Sequence, residues 1–222
     1  MDYKTFHTKL FPLYATYNES IKFLIAHIEL LYEKFPTPIF NEIRAFNDHI
    51  ARCYTEPLDE SIVEEQIPKA KSHIERILLD CYKYVNTELR IKTIDEFDRR
   101  TRNVDIKNIS NGEFYLEYKN KDNGIAKKLK DAKLLESIDK AEALSLYEEA
   151  FNSLCDLEDF LNEYRHHINW AIAKFRINKT MTILGWLVTI IGSILGILAF
   201  FFSWEQVVAI FHSFWANQND VY

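Results

Sequence analysis

The residues best suited to chemistry are an arginine and a histidine five positions apart, Arg44 and His49, in a segment with helical periodicity. A histidine can act as general acid or base on the 2′-hydroxyl of RNA, and an arginine can stabilise charge developing on the phosphate. Residues five apart point about 140° away from each other on a helix, so one chain does not form a compact pair. Two copies packed across a twofold axis could bring Arg44 of one copy to His49 of the other. The spacing therefore predicts that a catalytic Arg44 and His49 would require a dimer.

Three other groups of residues could bind ligands. One group is a basic run of three residues, Arg99, Arg100 and Arg102. It could contact RNA or lipid headgroups, or it could be a solvated loop. His166 and His167 have no carboxylate cluster at ligand spacing beside them, so we expect a polar helix face and no metal site. His73 could add to the site on the second helix, but a partly buried structural histidine is the favoured interpretation.

Composition narrows the classes of function. The net charge of -6 disfavours broad, non-specific nucleic-acid binding. Only Gly112 and Gly124 precede the apolar C-terminal stretch, which excludes glycine-rich phosphate loops and most sheet-rich folds. We expect no metal or cofactor. The three cysteines are predicted to be buried free thiols, and they are Cys53, Cys81 and Cys155.

A membrane-spanning helix is predicted near the C-terminus. Residues 181–204 carry no charge, and about 20 apolar residues suffice to cross the hydrocarbon core. Trp186 and Trp204 lie near its ends, where indole rings prefer the headgroup layer. Basic residues lie only on the N-terminal side of the span, at Lys174, Arg176 and Lys179. The positive-inside rule therefore places the N-terminal domain in the cytosol and the tail outside, which in a bacterium would mean the periplasm.

The span and its tail suggest further contacts. Four small residues share one face of the span, and they are Gly185, Thr189, Gly192 and Gly196. Small residues on one face let two helices approach closely, so we expect self-association in the membrane. The tail at residues 205–222 is predicted to be extracytoplasmic or to lie in the membrane interface. A tail that re-enters the bilayer is the alternative.

Helical periodicity organises the rest of the chain. It predicts long helices at residues 3–35, 38–54 and 61–97. Residues 98–124 are the least regular region, and within it residues 114–118 could be a strand or, as the low glycine content favours, a helical turn. From residue 125 onward there is no proline and no glycine before Gly185, so the last helix of the domain could run directly into the membrane.

These patterns predict an all-α protein, an antiparallel helical bundle followed by a single transmembrane helix. The predicted divisions are a cytosolic helical domain at residues 1–178, a span at 179–204 and a tail at 205–222.

The chain resembles the HEPN superfamily of small all-helical domains in two segments, PIFNEIRAFNDHIAR at residues 38–52 and KAKSHIERILLD at residues 69–80. The resemblance implies a helical bundle over roughly residues 3–170. HEPN domains commonly dimerise, and many are metal-independent ribonucleases of defence and toxin systems. Arg44 and His49 would then be the motif residues. Ala45 departs from the polar residue usual at that position in active members, which favours a degenerate domain acting as a scaffold or sensor.

With its membrane helix, the chain is similar to the membrane-bound HEPN-like accessory proteins of type VI-B CRISPR systems. This similarity implies an effector or accessory protein of antiphage defence that oligomerises and perturbs or permeabilises the inner membrane. The alternatives are a membrane-tethered endoribonuclease toxin and a non-catalytic tether. The expected partners are the lipid bilayer, further copies of the chain as a dimer or ring, and a defence protein or RNA. Whether the protein is an enzyme stays open, with a non-catalytic role favoured.

Overall fold

The computed structural model describes residues 1–31 and 35–201, with residues 205, 206, 208 and 209 of the tail. All regular structure in these residues is helical and no strand occurs among them, which confirms the predicted all-α class. The chain divides into two compact units, the N-terminal unit Met1–His166 and the C-terminal unit His167–Tyr222. The sequence instead places the end of the soluble domain at residue 178. Trp204 and the remainder of the tail lie outside the described residues.

The first helical stretch has three parts. Helix α1 (Tyr3–Thr16) is joined through a π-helical segment (Tyr17–Ile21) to α2 (Lys22–Leu31). The Asp2 side chain begins α1 by accepting a hydrogen bond from the backbone N–H of Thr5 at 2.7 Å. The helix predicted at residues 3–35 is confirmed as far as Leu31, and residues 32–34 are not described.

A helical hairpin forms the centre of the N-terminal unit. It consists of α3 (Thr37–Arg52) and α4 (Glu60–Arg90), and α4 also packs against α1, α2 and α7. Asp59 caps α4 by accepting the backbone N–H of Ser61 at 2.8 Å. The heptad-like spacing of apolar residues turns one face of α4 into the core, with Val63, Ala70, Ile74, Ile77, Cys81, Val85 and Leu89 all buried.

The region after α4 is more regular than the sequence predicted. A π-helical segment (Ile91–Asp95) leads into α5 (Glu96–Thr101), and 3₁₀ turns at Ile106–Gly112 precede α6 (Glu113–Leu135). The predicted irregularity of residues 98–124 is therefore wrong beyond Gly112, and the helical interpretation of residues 114–118 is confirmed. Gly124 is tolerated inside α6 because the burial of Phe114, Tyr118 and Ile125 outweighs a helix-propensity cost of about 1 kcal/mol.

The last two helices are separate. Helix α7 (Lys140–Glu163) folds back on α6, and α8 (Arg165–Phe201) begins after Tyr164. The helical chain from residue 125 is therefore interrupted at two places, after Leu135 and at Tyr164, whereas α8 continues without a break from Arg165 into the apolar stretch, as the sequence allowed. Asp139 ends the α6–α7 turn by capping α7, where its carboxylate accepts the N–H groups of Ala141 and Glu142 at 3.0 Å. Folding back lets the apolar faces of both helices bury each other, which one straight helix could not do.

An aromatic cluster packs the end of the N-terminal unit at which α6 begins and α7 ends. The rings of Phe114 and Phe160 stack at 5.4 Å between centroids, and Phe114 lies 5.0 Å from Tyr164. The ring of Phe97 on α5 belongs to the same cluster, since its centroid lies 4.7 Å from that of Tyr118. The cluster fixes α5 against the α6–α7 hairpin.

Candidate functional site

The two motif residues lie on opposite flanks of α3. Arg44 is exposed and makes no hydrogen bond or ion pair within the part of the chain that the structure describes. His49 is partly buried, and its Nδ1 lies 2.7 Å from Oε1 of Gln66 on α4. The helical spacing predicted that one chain does not bring Arg44 and His49 together, and the structure agrees. The requirement for a second chain stays a prediction.

The structure instead brings His49 together with His73. Their rings stack at 5.1 Å between centroids with an interplanar angle of 27°. Nδ1 of His73 lies 2.6 Å from Oε2 of Glu42. Glu42 and His49 are seven residues apart on α3, and Gln66 and His73 are seven apart on α4, so each pair shares one helix face. The antiparallel hairpin then sets His49 opposite Gln66 and Glu42 opposite His73.

Arg76 completes this α3–α4 cluster, defined as Glu42, His49, Gln66, His73 and Arg76. Nε of Arg76 lies 3.4 Å from Oε2 of Glu42, and its guanidinium lies 3.1 Å from a ring nitrogen of His73. The Glu42 carboxylate therefore faces one cation and one imidazole. His73 is half of an ion pair if protonated, which agrees with the favoured structural role, although it also adjoins His49.

The chemical capacity of the cluster rests on His49. In the tautomer in which Nδ1–H donates to Gln66 Oε1, Nε2 is left as an acceptor. Nε2 of His49 bonds no residue of the described ranges, so it could take a proton from a ligand. Glu42, Gln66 and Arg76 were not predicted as site residues. Their seven- and three-residue spacings from the histidines were the available signal.

The basic run borders an open cleft of about 860 Å³ between α5 and the start of α6. Arg99 and Arg102 line this α5–α6 cleft together with Lys107, Tyr115 and Lys119, whereas Arg100 does not. The predicted ligand-binding run thus supplies two of its three arginines to one concave surface.

One acidic group of the cleft, Asp98, is already engaged. Asp98 accepts a hydrogen bond from the hydroxyl of Tyr118 at 2.7 Å and lies 3.3 Å from Nζ of Lys119. Burial raises the pKa of Tyr118, and the Asp98 carboxylate raises it further. Burial acts to lower the pKa of Lys119, but Asp98 and Asp122 outweigh it and the pKa is raised. At neutral pH Tyr118 is therefore uncharged and Lys119 is positively charged.

Helix α8 is long and apolar enough to cross a membrane. Its most apolar window has a mean hydropathy of 2.4, and none of that window is buried. A Cβ added at Gly185, Gly192 or Gly196 meets nothing within 4 Å. The hydroxyl of Thr189 donates to the carbonyl of Gly185 at 2.9 Å, so the polar group on the small-residue face is satisfied within its own helix.

Among the described residues, the cysteines and the histidines outside the cluster show no reactive arrangement. Cys53 and Cys81 are buried and Cys155 is partly buried, all as free thiols, and burial raises the pKa of Cys81 to about 12. His166 and His167 are exposed at the start of α8. Across the residues that the structure describes, no three His, Cys, Asp or Glu side chains are placed to hold a metal ion.

No family model, curated protein or solved structure matches this chain. The resemblance to HEPN domains therefore stays a prediction from the two quoted segments. The features of the molecule that bear on its function are α8, the α3–α4 cluster and the α5–α6 cleft.

Proposed function

We propose that this protein is a membrane-anchored effector or accessory protein of bacterial antiphage defence, in which α8 spans the inner membrane. The observation that carries the proposal is the uncovered apolar surface of α8, since no part of its most apolar window is buried in the chain. Exposed apolar surface of this extent is unfavourable in water and favourable in hydrocarbon. The link to antiphage defence rests on the resemblance to HEPN-like accessory proteins.

The basic flank of the span supports a cytosolic N-terminal unit. Lys174, Arg176 and Lys179 precede the charge-free stretch, and no Lys or Arg follows it. Nζ of Lys174 lies 4.9 Å from the ring of Trp170, a pairing suited to the headgroup layer. Retention of these cations on the cytosolic side would orient the tail outward.

The proposed action is oligomerisation followed by disturbance of the bilayer. One helix cannot line a pore, so several copies of α8 must associate. The open space above Gly185, Gly192 and Gly196 supports close helix contact. The N-terminal unit would then act as the part that senses a trigger or docks a partner.

A ribonuclease is the second candidate, favoured by one observation. Arg44 is an exposed arginine with no partner in the described part of the chain, and Nε2 of His49 is an available acceptor. Both could meet across a twofold axis. The neutral Ala45 and the net charge of -6 oppose this candidate.

Induced expression in bacteria tests the two candidates together. The variants are Arg44→Ala/His49→Ala and a truncation after Asn178, with Arg52→Ala as a control at another exposed arginine of α3. Growth, membrane potential and total RNA are recorded, with immunoblots to confirm equal protein levels. We expect the truncation to abolish growth arrest, the double variant to stay toxic, and depolarisation to precede any loss of RNA.

The opposite pattern would assign an enzyme. If the double variant is silent while the truncated chain still cleaves RNA, α8 is only an anchor and the ribonuclease candidate replaces the effector. If the full chain is harmless at matched levels even when the genes of its natural operon are expressed with it and phage is added, the proposed effector role is wrong and a plain tether remains.

A further inference from the structure

The α5–α6 cleft combines a concave surface with cations that have few partners. Its volume of about 860 Å³ is large enough for a small ligand. The wall formed by α5 and the following turn carries Arg99, Arg102 and Lys107, and the wall formed by α6 carries Tyr115 and Lys119. The two walls are set apart by a sharp reversal, in which Ser110, Asn111 and Gly112 all have positive φ angles.

The cations of the cleft are less engaged than its carboxylates. Arg102 makes no hydrogen bond or ion pair within the described ranges, and Lys107 makes only a cation–π contact with Tyr115 at 5.5 Å. Arg99 pairs with Glu96 at 3.9 Å, but both side chains are mostly exposed and such a pair contributes little.

The acidic residues of the cleft largely have donors of their own. Asp98 is satisfied by Tyr118 and Lys119, and Asp105 accepts a hydrogen bond from the side chain of Asn108 at 2.5 Å. Asp95 is the remaining carboxylate of the lining. The lining carries four cations and three carboxylates, so its net charge is +1, and three of the four cations are weakly engaged. The cleft therefore favours an anion.

We propose that the α5–α6 cleft binds phosphate groups, with Arg102 and Lys107 as principal contacts and Arg99 as a supporting one. Guanidinium and ammonium groups are the usual partners of phosphate, and a guanidinium can donate two parallel hydrogen bonds. The Tyr115 ring holds Lys107 beside the cleft and offers an apolar surface to the part of the ligand next to its phosphate. The sequence singles out only the basic run, and no comparison assigns this site.

Two sources can supply this chemistry, an anionic phospholipid headgroup or a soluble phosphate such as a nucleotide. The cleft adjoins the aromatic cluster through the first turn of α6, since Tyr115 lines the cleft and its neighbour Phe114 contacts Tyr164. It thus lies at the end of the N-terminal unit from which the chain continues into α8. The lipid source depends on the proposed membrane anchoring, whereas the soluble source does not.

Hydrogen–deuterium exchange of the full chain tests the site. The protein is placed in nanodiscs of phosphatidylcholine alone or with phosphatidylglycerol, and the phosphatidylcholine sample is also titrated with ATP and with inorganic phosphate. The readout is the protection of peptides covering residues 99–119. Arg102→Ala/Lys107→Ala is compared with Lys127→Ala/Lys130→Ala, which removes the same charge from exposed positions of α6 outside the cleft.

We expect phosphatidylglycerol, ATP or both to slow exchange in this segment. The cleft variant should weaken binding by about tenfold or more, and the α6 control should not. Protection by phosphatidylglycerol alone assigns the lipid source, and protection by ATP or phosphate alone assigns the soluble one. Thermal unfolding of both variants verifies the fold.

Two results would overturn the proposal. One is the absence of protection with every probe, and the other is an equal effect of the two variants, which would indicate non-specific attraction. None of these results depends on whether the protein is toxic, so the cleft and the effector role can fail separately.

Discussion

At the scale of single residues, His49 is tied to the fold by the same contact that orients it. Gln66 is only 6 % exposed, and its Oε1 lies 2.7 Å from Nδ1 of His49. Removing the imidazole leaves a buried amide oxygen without its donor, which costs about 1–3 kcal/mol. Loss of activity on changing His49 is therefore informative only when stability is measured beside it. Arg44 has no such contact, so Arg44→Ala alone is the cleaner probe of chemistry.

The sequence predicted that Arg44 and His49 point in different directions, because both residues lie on one helix and their spacing fixes the angle between them. The Glu42–His73 and His49–Gln66 contacts could not be predicted, because they depend on the register between α3 and α4. The cleft beside the basic run was hidden for a related reason. The two walls of the cleft are brought together by a backbone reversal, in which Ser110, Asn111 and Gly112 have positive φ angles.

Tyr147 and Glu136 provide a test of electrostatic stabilisation in the N-terminal unit. The hydroxyl of Tyr147 donates to Oε1 of Glu136 at 2.5 Å. Burial acts to raise the pKa of Glu136, but this hydrogen bond and the charges of Lys133 and Lys83 outweigh it and hold the pKa below its usual value. A lowered pKa contributes stability above the unfolded value near about 4.3, and this stability is lost as the pH falls through the folded value.

We therefore expect Tyr147→Phe to lower the free energy of unfolding by about 1–2 kcal/mol at pH 7. The difference from the unchanged protein should shrink as the pH falls through the lowered pKa of folded Glu136, because Glu136 is protonated in both proteins below it. Urea unfolding of the full chain in neutral detergent, followed by near-ultraviolet circular dichroism, measures this. Tyr3→Phe is the control, since Tyr3 is 62 % exposed. A difference that stays constant with pH would show that Glu136 is not involved.

At the scale of elements, the helices that carry a clear apolar stripe were predicted well, and their ends were not. The helices from α1 to α4 follow the 3.6-residue pattern, and Pro36 directly precedes α3. The α6–α7 turn has neither glycine nor proline. It forms because Asp139 can cap α7 and because the two apolar faces are better buried against each other than extended. Asp139 followed by Glu142 is a local signal for the start of a helix, whereas the packing of the two apolar faces has no local signal.

The small-residue face of α8 makes a separate prediction. A Cβ at Gly196 meets nothing within 4 Å among the described residues, so we expect a loss of association in Gly196→Ile to come from contact between copies. We expect about tenfold weaker self-association in a membrane two-hybrid assay or by crosslinking in bilayers. As a control, Leu198→Phe adds bulk on the opposite side of the helix, since two residues turn it by about 200°. If Gly196→Ile and Leu198→Phe associate equally strongly, the small-residue face is not the contact between copies.

At the scale of the whole molecule, charge and hydropathy are strongly divided along the chain. The N-terminal unit carries salt bridges over its surface, whereas the charge-free part of α8 presents only apolar and small residues. Such a division is stable only when the two parts meet different solvents. The proposed orientation rests on this division and on the cations that flank the span.

Replacement of the flanking cations by glutamine tests this orientation. In the unchanged protein we expect a C-terminal alkaline phosphatase fusion to be active and a C-terminal green fluorescent protein fusion to be dark, because the tail lies outside. Lys174→Gln/Arg176→Gln/Lys179→Gln removes the three cations nearest the span, well inside the range of about 15–20 residues over which such charges set topology. The ratio of phosphatase activity to fluorescence should then fall several-fold as a second orientation becomes populated.

A matched variant separates local charge from total charge. Lys127→Gln/Lys130→Gln/Lys140→Gln removes the same three charges at positions too far from the span to influence topology, and we expect its ratio to equal that of the unchanged protein. A fluorescent, phosphatase-silent fusion of the unchanged chain would reverse the assigned orientation and would place the N-terminal unit outside the cytosol. In that case neither Arg44 nor the α5–α6 cleft could meet a cytosolic RNA or nucleotide, and the phosphate groups within reach would be those of lipids in the opposite leaflet.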